Sequence, residues 1–281
     1  MLSVIIPANN EQAFIGRCLQ ALAEQTADPA ACGGIEILVA ANACTDDTVA
    51  IARSFDTPFA ERGYILTVLD LAEGGKLNAL NVADAQAKGE MRAYLDADVI
   101  LSSGVLAGVI GVLNRPEPAY TSGRLSVAPA RTWITRHYAK AWQRLPFMIS
   151  DVPGAGLFCV NGPGRARWGE FPAIIADDAY VRLQFTPAER HQVEEPYSWP
   201  MIEGFRNLVK VRRRQDVGLA EVYEKFPELR KNEGKAPLTK ALLLKLALTI
   251  PVSFAVYCFV SNAVRRDAKL GGSGHTWTRG R

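Results

Sequence analysis

Alternation is the feature that most constrains this chain. From its first residues to Leu113, short β-branched and apolar runs trade places with segments whose apolar residues recur at helical spacing. Leu2–Pro7 reads as a buried strand. Glu11–Glu24 reads as a helix, with Phe14, Ile15, Cys18, Leu19 and Leu22 on one face. Glu36–Ala40, Tyr64–Leu69 and Met91–Leu95 read as further strands. Between and after them come helices over Asp46–Phe55, with acids at its start, Lys76–Lys88, closed by Gly89, and Gly104–Leu113. Repeated βα units with short connections predict the α/β class, a mostly parallel sheet covered by helices.

Sheets of this kind bind ligands outside the carboxyl ends of their strands. In this chain those ends read Ala8-Asn9-Asn10-Glu11, Ala41-Asn42-Ala43-Cys44-Thr45-Asp46, Ala72–Lys76 and Asp96-Ala97-Asp98, all polar or charged. Asp96 and Asp98 follow an apolar strand at alternate positions and so can point the same way. Two such carboxylates suit one hard cation, with water and phosphate oxygens completing its shell, and that cation would neutralise a departing diphosphate. A solvated acidic loop is the competing reading. Gly74-Gly75-Lys76 lacks the spacing of a phosphate-binding P-loop, yet a lysine at a helix start can still reach an anion.

Arg115-Pro-Glu-Pro118 reads as a joint, beyond which the alternation loosens. Ala119–Val127 suits a strand, Arg131–Arg144 a helix bearing Trp133, Tyr138 and Trp142, and Gly154–Val160 a glycine-hinged loop running into a strand. Asp177–Phe185 is a short helix opening with two acids. They serve either as helix-capping charges or as a pair in which one carboxylate is the general base for a hydroxyl nucleophile, since neighbouring carboxylates tend to raise one pKa. Glu203–Arg214 is a basic helix with Arg206, Lys210, Arg212, Arg213 and Arg214. Its readings are a diphosphate clamp, a solvated face or a site for anionic headgroups. Arg206, Lys210 and Arg213 share a face by spacing.

Composition removes several classes. Lys and Arg number 32 against 29 Asp and Glu, a net charge of +3, too weak a field to argue for nucleic acid. The 5 cysteines are widely spaced and form no CxxC, so neither a disulfide framework nor a zinc site is expected. His137, His191 and His275 include no pair at metal-ligand spacing, and GxSxG and GxGxxG are missing. Met1–Pro7 has no basic leader region, which predicts a cytoplasmic protein rather than a secreted one.

The end of the chain has its own character. Residues 241–264 carry one charge, Lys245, and are long enough to span a bilayer. However, Lys245, Thr249, Ser253, Tyr257 and Ser261 draw a polar stripe, Pro251 interrupts the run, and cations flank both ends. A single span would place one cationic flank on the outer side, against the positive-inside tendency. A helix lying on the inner face of the cytoplasmic membrane, or a re-entrant one, avoids that conflict; the alternative is a helix docked on the protein itself.

Taken in order, these motifs resemble those of glycosyltransferase family 2. Val4-Ile5-Ile6-Pro7-Ala8-Asn9-Asn10-Glu11 resembles its opening strand and loop, and Val39–Thr48 its second nucleotide-contacting loop. Gly75-Lys76-Leu-Asn78-Ala-Leu80-Asn81 is similar to its GKxxALN segment, Asp96-Ala97-Asp98 to its metal-binding DxD, and Ile175-Ala176-Asp177-Asp178 to its ED-type base motif. The likeness covers residues 1–215. It implies a GT-A fold, Rossmann-like with helices on both faces, here with a C-terminal apolar helix added. By matching position, Pro7, Asn9 and Glu11 would line the nucleoside site and Asn42 would meet the base. Lys76 and Asp96 would flank the nucleotide. Arg212 and Arg213 match no motif of the family, and are candidates for the nucleotide's diphosphate only through the basic helix's own chemistry. Asp98, with Asp96, would bind Mn²⁺ or Mg²⁺. Asp178, beside Asp177, would take the proton from the acceptor hydroxyl; the apolar tail is what points to a lipid-linked or cell-surface glycan precursor as the acceptor. The expected organisation is a nucleotide-sugar half over 1–115, an acceptor and base half over 116–235, and a tail over 236–281.

The chain departs from the family twice. Ala41-Asn42 stands where the family usually has an Asp pair, and the QxxRW motif of processive members is missing, since Lys210-Val-Arg212-Arg213-Arg214-Gln215 has no Trp. The second departure argues for one sugar per encounter. Two other classes remain open on sequence alone. A sugar-phosphate nucleotidyltransferase would release pyrophosphate, and a non-catalytic nucleotide-sugar or membrane-binding subunit would bind a donor without turnover.

Overall fold

The computed structural model of the chain describes residues 1–149 and 151–269, so His275 and the last part of the expected tail lie outside the described residues. The described chain divides into two compact units, each assembled from separate stretches of sequence. The first comprises Met1–Leu125, Gly154–Ala173 and Gln184–Trp199; the second comprises Ser126–Pro153, Ile174–Leu183 and the chain from Pro200 onward.

The first unit is built on β1 (Leu2–Ala8), α1 (Ile15–Ala23), β2 (Ile35–Asn42), α2 (Thr48–Arg53), α3 (Asp56–Glu61), β3 (Tyr64–Leu71), α4 (Lys76–Gln86) and β4 (Met91–Leu95). It continues through β5 (Ile100–Leu101), α5 (Val105–Leu113) and β6 (Tyr120–Val127), whose last two residues belong to the second unit. The strands form an 8-stranded sheet in the order β3-β2-β1-β4-β7-β6-β8-β5, in which β7 is Leu157–Val160 and β8 is Arg190–Trp199. The expected parallel array is its longer ladder: Leu2 pairs with Ile35 on one side and Met91 on the other, and Ile35 with Tyr64. The rest is antiparallel, with Leu95 opposite Leu157, Tyr120 opposite Val160 and Ile100 opposite Ser198. All eight residues of β2 are buried, which is why its run Ile-Glu-Ile-Leu-Val-Ala-Ala-Asn hardly alternates. Against this sheet α1 buries Ile15, Cys18, Leu19, Ala21 and Leu22.

One boundary differs from the sequence reading. Lys76–Lys88 was expected to end on Gly89 as its cap, but α4 stops at Gln86 and Ala87 turns extended. Gly89 instead lies against the chain start, where a Cβ would come within 2.5 Å of the Met1 carbonyl oxygen. The buried Glu36 carboxylate fastens this corner, accepting from the Ser3 hydroxyl at 2.6 Å and from the Lys88 and Gly89 amides. The five cysteines are free, with Cys18 and Cys159 buried in the sheet's core and their thiol pKa values pushed up by that burial.

The second unit is helical. Its elements are α6 (Trp133–Trp142), α7 (Pro146–Ile149), α9 (Asp177–Leu183), α10 (Phe205–Lys225), α11 (Lys240–Thr249) and α12 (Pro251–Lys269); the short α8 (Gly162–Arg165) belongs to the first unit. The basic helix expected over Glu203–Arg214 runs on to Lys225, because Leu208, Gly218 and Val222 keep one face buried along its length. The apolar segment 241–264 is two helices, not one. Ile250 leaves helical geometry, and Pro251, which has no amide hydrogen to donate, opens the second helix. The polar stripe therefore divides. Lys245 and Thr249 face solvent, whereas Ser253 is buried with its hydroxyl 2.9 Å from Nδ1 of His137, and Tyr257 stacks on Tyr138. Among the described residues no helix is long and apolar enough to cross a membrane.

Candidate functional site

The carboxyl ends of β1 and β2 are joined by side chains. Asn42, 3% exposed, donates its amide to the Ala8 carbonyl at 2.8 Å and accepts from the Gly75 amide at 3.0 Å. Asn9 donates to the Asn42 carbonyl at 2.6 Å and to that of Ala43 at 3.3 Å. The Asn10 side chain accepts from the Thr45 amide at 2.6 Å, and the Glu11 amide donates to the Thr48 hydroxyl at 2.7 Å. Thr48 in turn is held by Asp46, which receives both its amide and its hydroxyl. These bonds form two loops whose backbones turn sharply: Asn10 has φ 51° and Ala43 φ 47°, both in the left-handed region. That region is costly for alanine, and such conformations persist only where their surroundings over-determine them.

Asn42 was expected to meet a nucleobase. Its amide gives one hydrogen to Ala8 and takes one from Gly75, which leaves the oxygen a second lone pair. Pro7, near the end of β1, and Asn9 and Glu11 on the loop that follows are each partly exposed.

The third strand end brings a lysine to the acidic turn. Gly75, at φ 126°, adopts a conformation few side chains tolerate and sets Lys76 as the first residue of α4. Lys76 Nζ lies 3.1 Å from Asp96 Oδ1, and the two side chains are 38% and 36% exposed. The turn itself is fixed by backbone. The Asp96 amide donates to the Gly156 carbonyl at 2.9 Å, and the Asp96 carbonyl accepts from Val99 at 3.1 Å. Ala97 between the acids is buried, while Asp96 and Asp98 are partly open, the alternation expected at the end of a strand.

Among the described residues no group of three or more His, Cys, Asp or Glu side chains is arranged to hold a metal. The oxygen pair Asp96 and Asp98 fits a hard cation that takes its remaining ligands from diphosphate and water, as Mn²⁺ and Mg²⁺ do with phosphate substrates. His191 is beside Arg115, where burial and then that guanidinium lower its pKa, and His137 is on Ser253.

The second unit carries the other acids and the basic cluster. Asp177 is buried and Asp178 partly open at the head of α9. The segment leading into α9 is held by α10: the Ile175 amide donates to Glu221 at 2.9 Å, and at Gly218 a Cβ would stand 3.0 Å from the side chains of Ile175 and Ala176. One turn on, Arg182 is buried between Asp151 and Glu233, 2.8 Å from each. This network was not anticipated from the sequence, where Arg182 is one arginine among many. Of the basic cluster, Arg212 is occupied by Gln215 and Asp216 on its own helix. Arg206 and Lys210 are exposed, and the buried Nε atoms of Arg213 and Arg214 have no hydrogen-bond partner among the described residues.

A parallel βα array whose strand ends carry these loops and an Asp-Ala-Asp turn defines an α/β protein of the GT-A class. Residues 3–165, more than half of the chain, match Glycosyl transferase family 2, and the chain belongs to that family. It is 27% identical over 232 residues to the 4,4'-diaponeurosporenoate glycosyltransferase of Staphylococcus aureus strain MRSA252, covering 80% of this chain and 54% of that enzyme. The chain thus spans about half the length of the curated relatives it matches. Three solved structures share the fold. A mannosyltransferase from Pyrobaculum calidifontis in complex with GDP-Man and Mn²⁺ aligns with TM-score 0.61 and 22% identity over 95% of this chain and 75% of that one. S. aureus TarS 1-349 in complex with UDP-GlcNAc aligns with TM-score 0.54 and 16% identity over 96% and 92%. Glucosyl-3-phosphoglycerate synthase from Mycobacterium tuberculosis, with Mn²⁺, UDP and glucosyl-3-phosphoglycerate, aligns with TM-score 0.52 and 17% identity over 79% of each chain.

Proposed function

We propose that this chain is a metal-dependent, inverting glycosyltransferase that moves one sugar from a nucleotide-diphosphate-sugar to a hydroxyl acceptor on a glycan or lipid-linked precursor. The observation that carries the reading is the Lys76–Asp96 ion pair two residues before Asp98, at the carboxyl end of a parallel strand. Family membership and the nucleotide sugars bound by structurally similar proteins support it.

In this reading Pro7, Asn9 and Glu11 line the nucleoside, and Asn42 holds their loops in shape. Lys76 offers its ammonium to the phosphates, and Arg213 adds a second cationic group. Asp98 and Asp96 would hold Mn²⁺ or Mg²⁺, and that ion would supply positive charge to the leaving diphosphate. Asp178 accepts the proton of the acceptor hydroxyl, and Asp177 is the neighbouring charge. As the proton leaves, the hydroxyl oxygen bonds to the anomeric carbon on the face opposite the diphosphate. The bond from that carbon to the phosphate oxygen breaks, and the nucleoside diphosphate departs with the electron pair, which inverts the centre.

The test is Asp178→Asn in the full chain. Loss of a positioned base costs about 10²–10⁴-fold in turnover, so transfer falls by that factor while donor binding persists. Transfer at the wild-type rate removes Asp178 from the role.

A further inference from the structure

The last two helices turn large apolar side chains outward. Leu244 is 61% exposed, Leu248 74%, Val252 49% and Phe259 60%. Leu244 and Leu248 lie one turn apart on α11, and Val252 and Phe259 two turns apart on α12, an apolar row in two pieces in which the Phe259 ring also stacks on Phe205 at 5.0 Å. Inward, Leu246, Ile250, Val256, Val260 and Val264 are buried, and so is Ser253. A helix merely docked on its own protein keeps its polar residues for solvent. Here a serine is turned in against His137 while leucines and a phenylalanine face out.

Charge says what the row fits. From residue 234 to 266 there is no Asp or Glu, but there are Lys235, Lys240, Lys245, Arg265 and Arg266. Lys235 pairs with Glu233, and Lys240, Lys245, Arg265 and Arg266 are exposed at the two ends and along the row. Trp133, 56% exposed, packs its ring 4.5 Å from His137, the residue that holds Ser253.

We infer that α11 and α12 lie flat on an anionic lipid bilayer, with Leu244, Leu248, Val252 and Phe259 inserted below the headgroups and the flanking cations on lipid phosphates. The apolar row supplies burial, the basic flanks supply attraction, and no described helix is both long and apolar enough to cross. A second copy of the chain fits the row poorly, because it would bring the same cations against these. The inference is independent of the donor reading, since lipid binding needs neither nucleotide nor metal.

The experiment is vesicle flotation of the full chain. Vesicles of phosphatidylcholine with phosphatidylglycerol are compared with vesicles of phosphatidylcholine alone, at low and high salt. The expected result is binding to the anionic vesicles that weakens with salt. It should drop at least about tenfold in the double variant Leu248→Glu, Phe259→Glu and persist in Leu248→Phe. Circular dichroism checks that the variants stay folded. Equal binding by the double variant, or no binding of the wild type to anionic vesicles, overturns the inference. So does a concentration-dependent dimer that the double variant abolishes while vesicle binding is unchanged.

Discussion

Asn42 ties three strand ends with one amide, donating to Ala8 and accepting from Gly75 while its own carbonyl receives Asn9. This gives a physical reason for the departure from the family's usual acid. An ionised aspartate could accept from Gly75 but has no hydrogen to give the Ala8 carbonyl. Asn42→Ala leaves those backbone groups unpaired beneath the loops and should cost about 2–4 kcal/mol, read as a lowered Tm. Asn42→Asp should be destabilising too, with the loss easing at acid pH as the carboxyl regains a proton; wild-type stability in both variants would contradict the assignment. At this scale Lys76, Asp96 and Asp98 were legible, because charged side chains immediately after apolar strands stand where such sheets bind their ligands. The left-handed backbone at Ala43 was not, since nothing in an alanine announces a positive φ.

Helix α9 is positioned by charges buried on one side of it. Arg182 lies between Asp151 and Glu233, with the Phe147 ring 5.1 Å from its guanidinium, and Asn232 donates to the Leu183 carbonyl at 2.9 Å. Removing one member of a buried charge network costs about 3–5 kcal/mol, so Arg182→Leu should lower Tm sharply. Burial acts to raise the Glu233 carboxyl, but Arg182, Lys235 and Tyr223 prevail and hold its pKa at about 2. A carboxylate depressed on folding contributes fully above its unfolded pKa of about 4.3 and loses that contribution as pH falls toward about 2. Stability should therefore fall over that window, and Glu233→Gln should flatten the slope there, which denaturation midpoints across pH would measure. An unchanged slope would mean that Glu233 is not depressed on folding. Element ends were the hardest part to read. Gly89 resembled a helix cap because helices often end on glycine, whereas its requirement comes from the passing Met1 carbonyl at the far end of the first strand's run.

Across the whole molecule, the parallel half of the sheet followed directly from alternating patterns, because each βα unit repeats the same burial. The antiparallel half did not. β5 has two residues, and β8, Arg-His-Gln-Val-Glu-Glu-Pro-Tyr-Ser-Trp, mixes charge with a proline, so its pairing depends on partners distant in sequence. Family membership rests on residues 3–165, and the donor reading rests on the strand ends within that range.

The most direct test is a thermal-shift panel of UDP-, GDP-, dTDP- and CDP-sugars, with and without Mn²⁺, on wild type and Asp98→Ala. A ligand at about 100 times its Kd adds about 2.7 kcal/mol, roughly 5–10 °C for a domain of this size. The account predicts a shift of that order with one nucleotide class, dependent on Mn²⁺ and lost in Asp98→Ala. A shift that is the same without metal or in Asp98→Ala, or no shift with any donor, would contradict it.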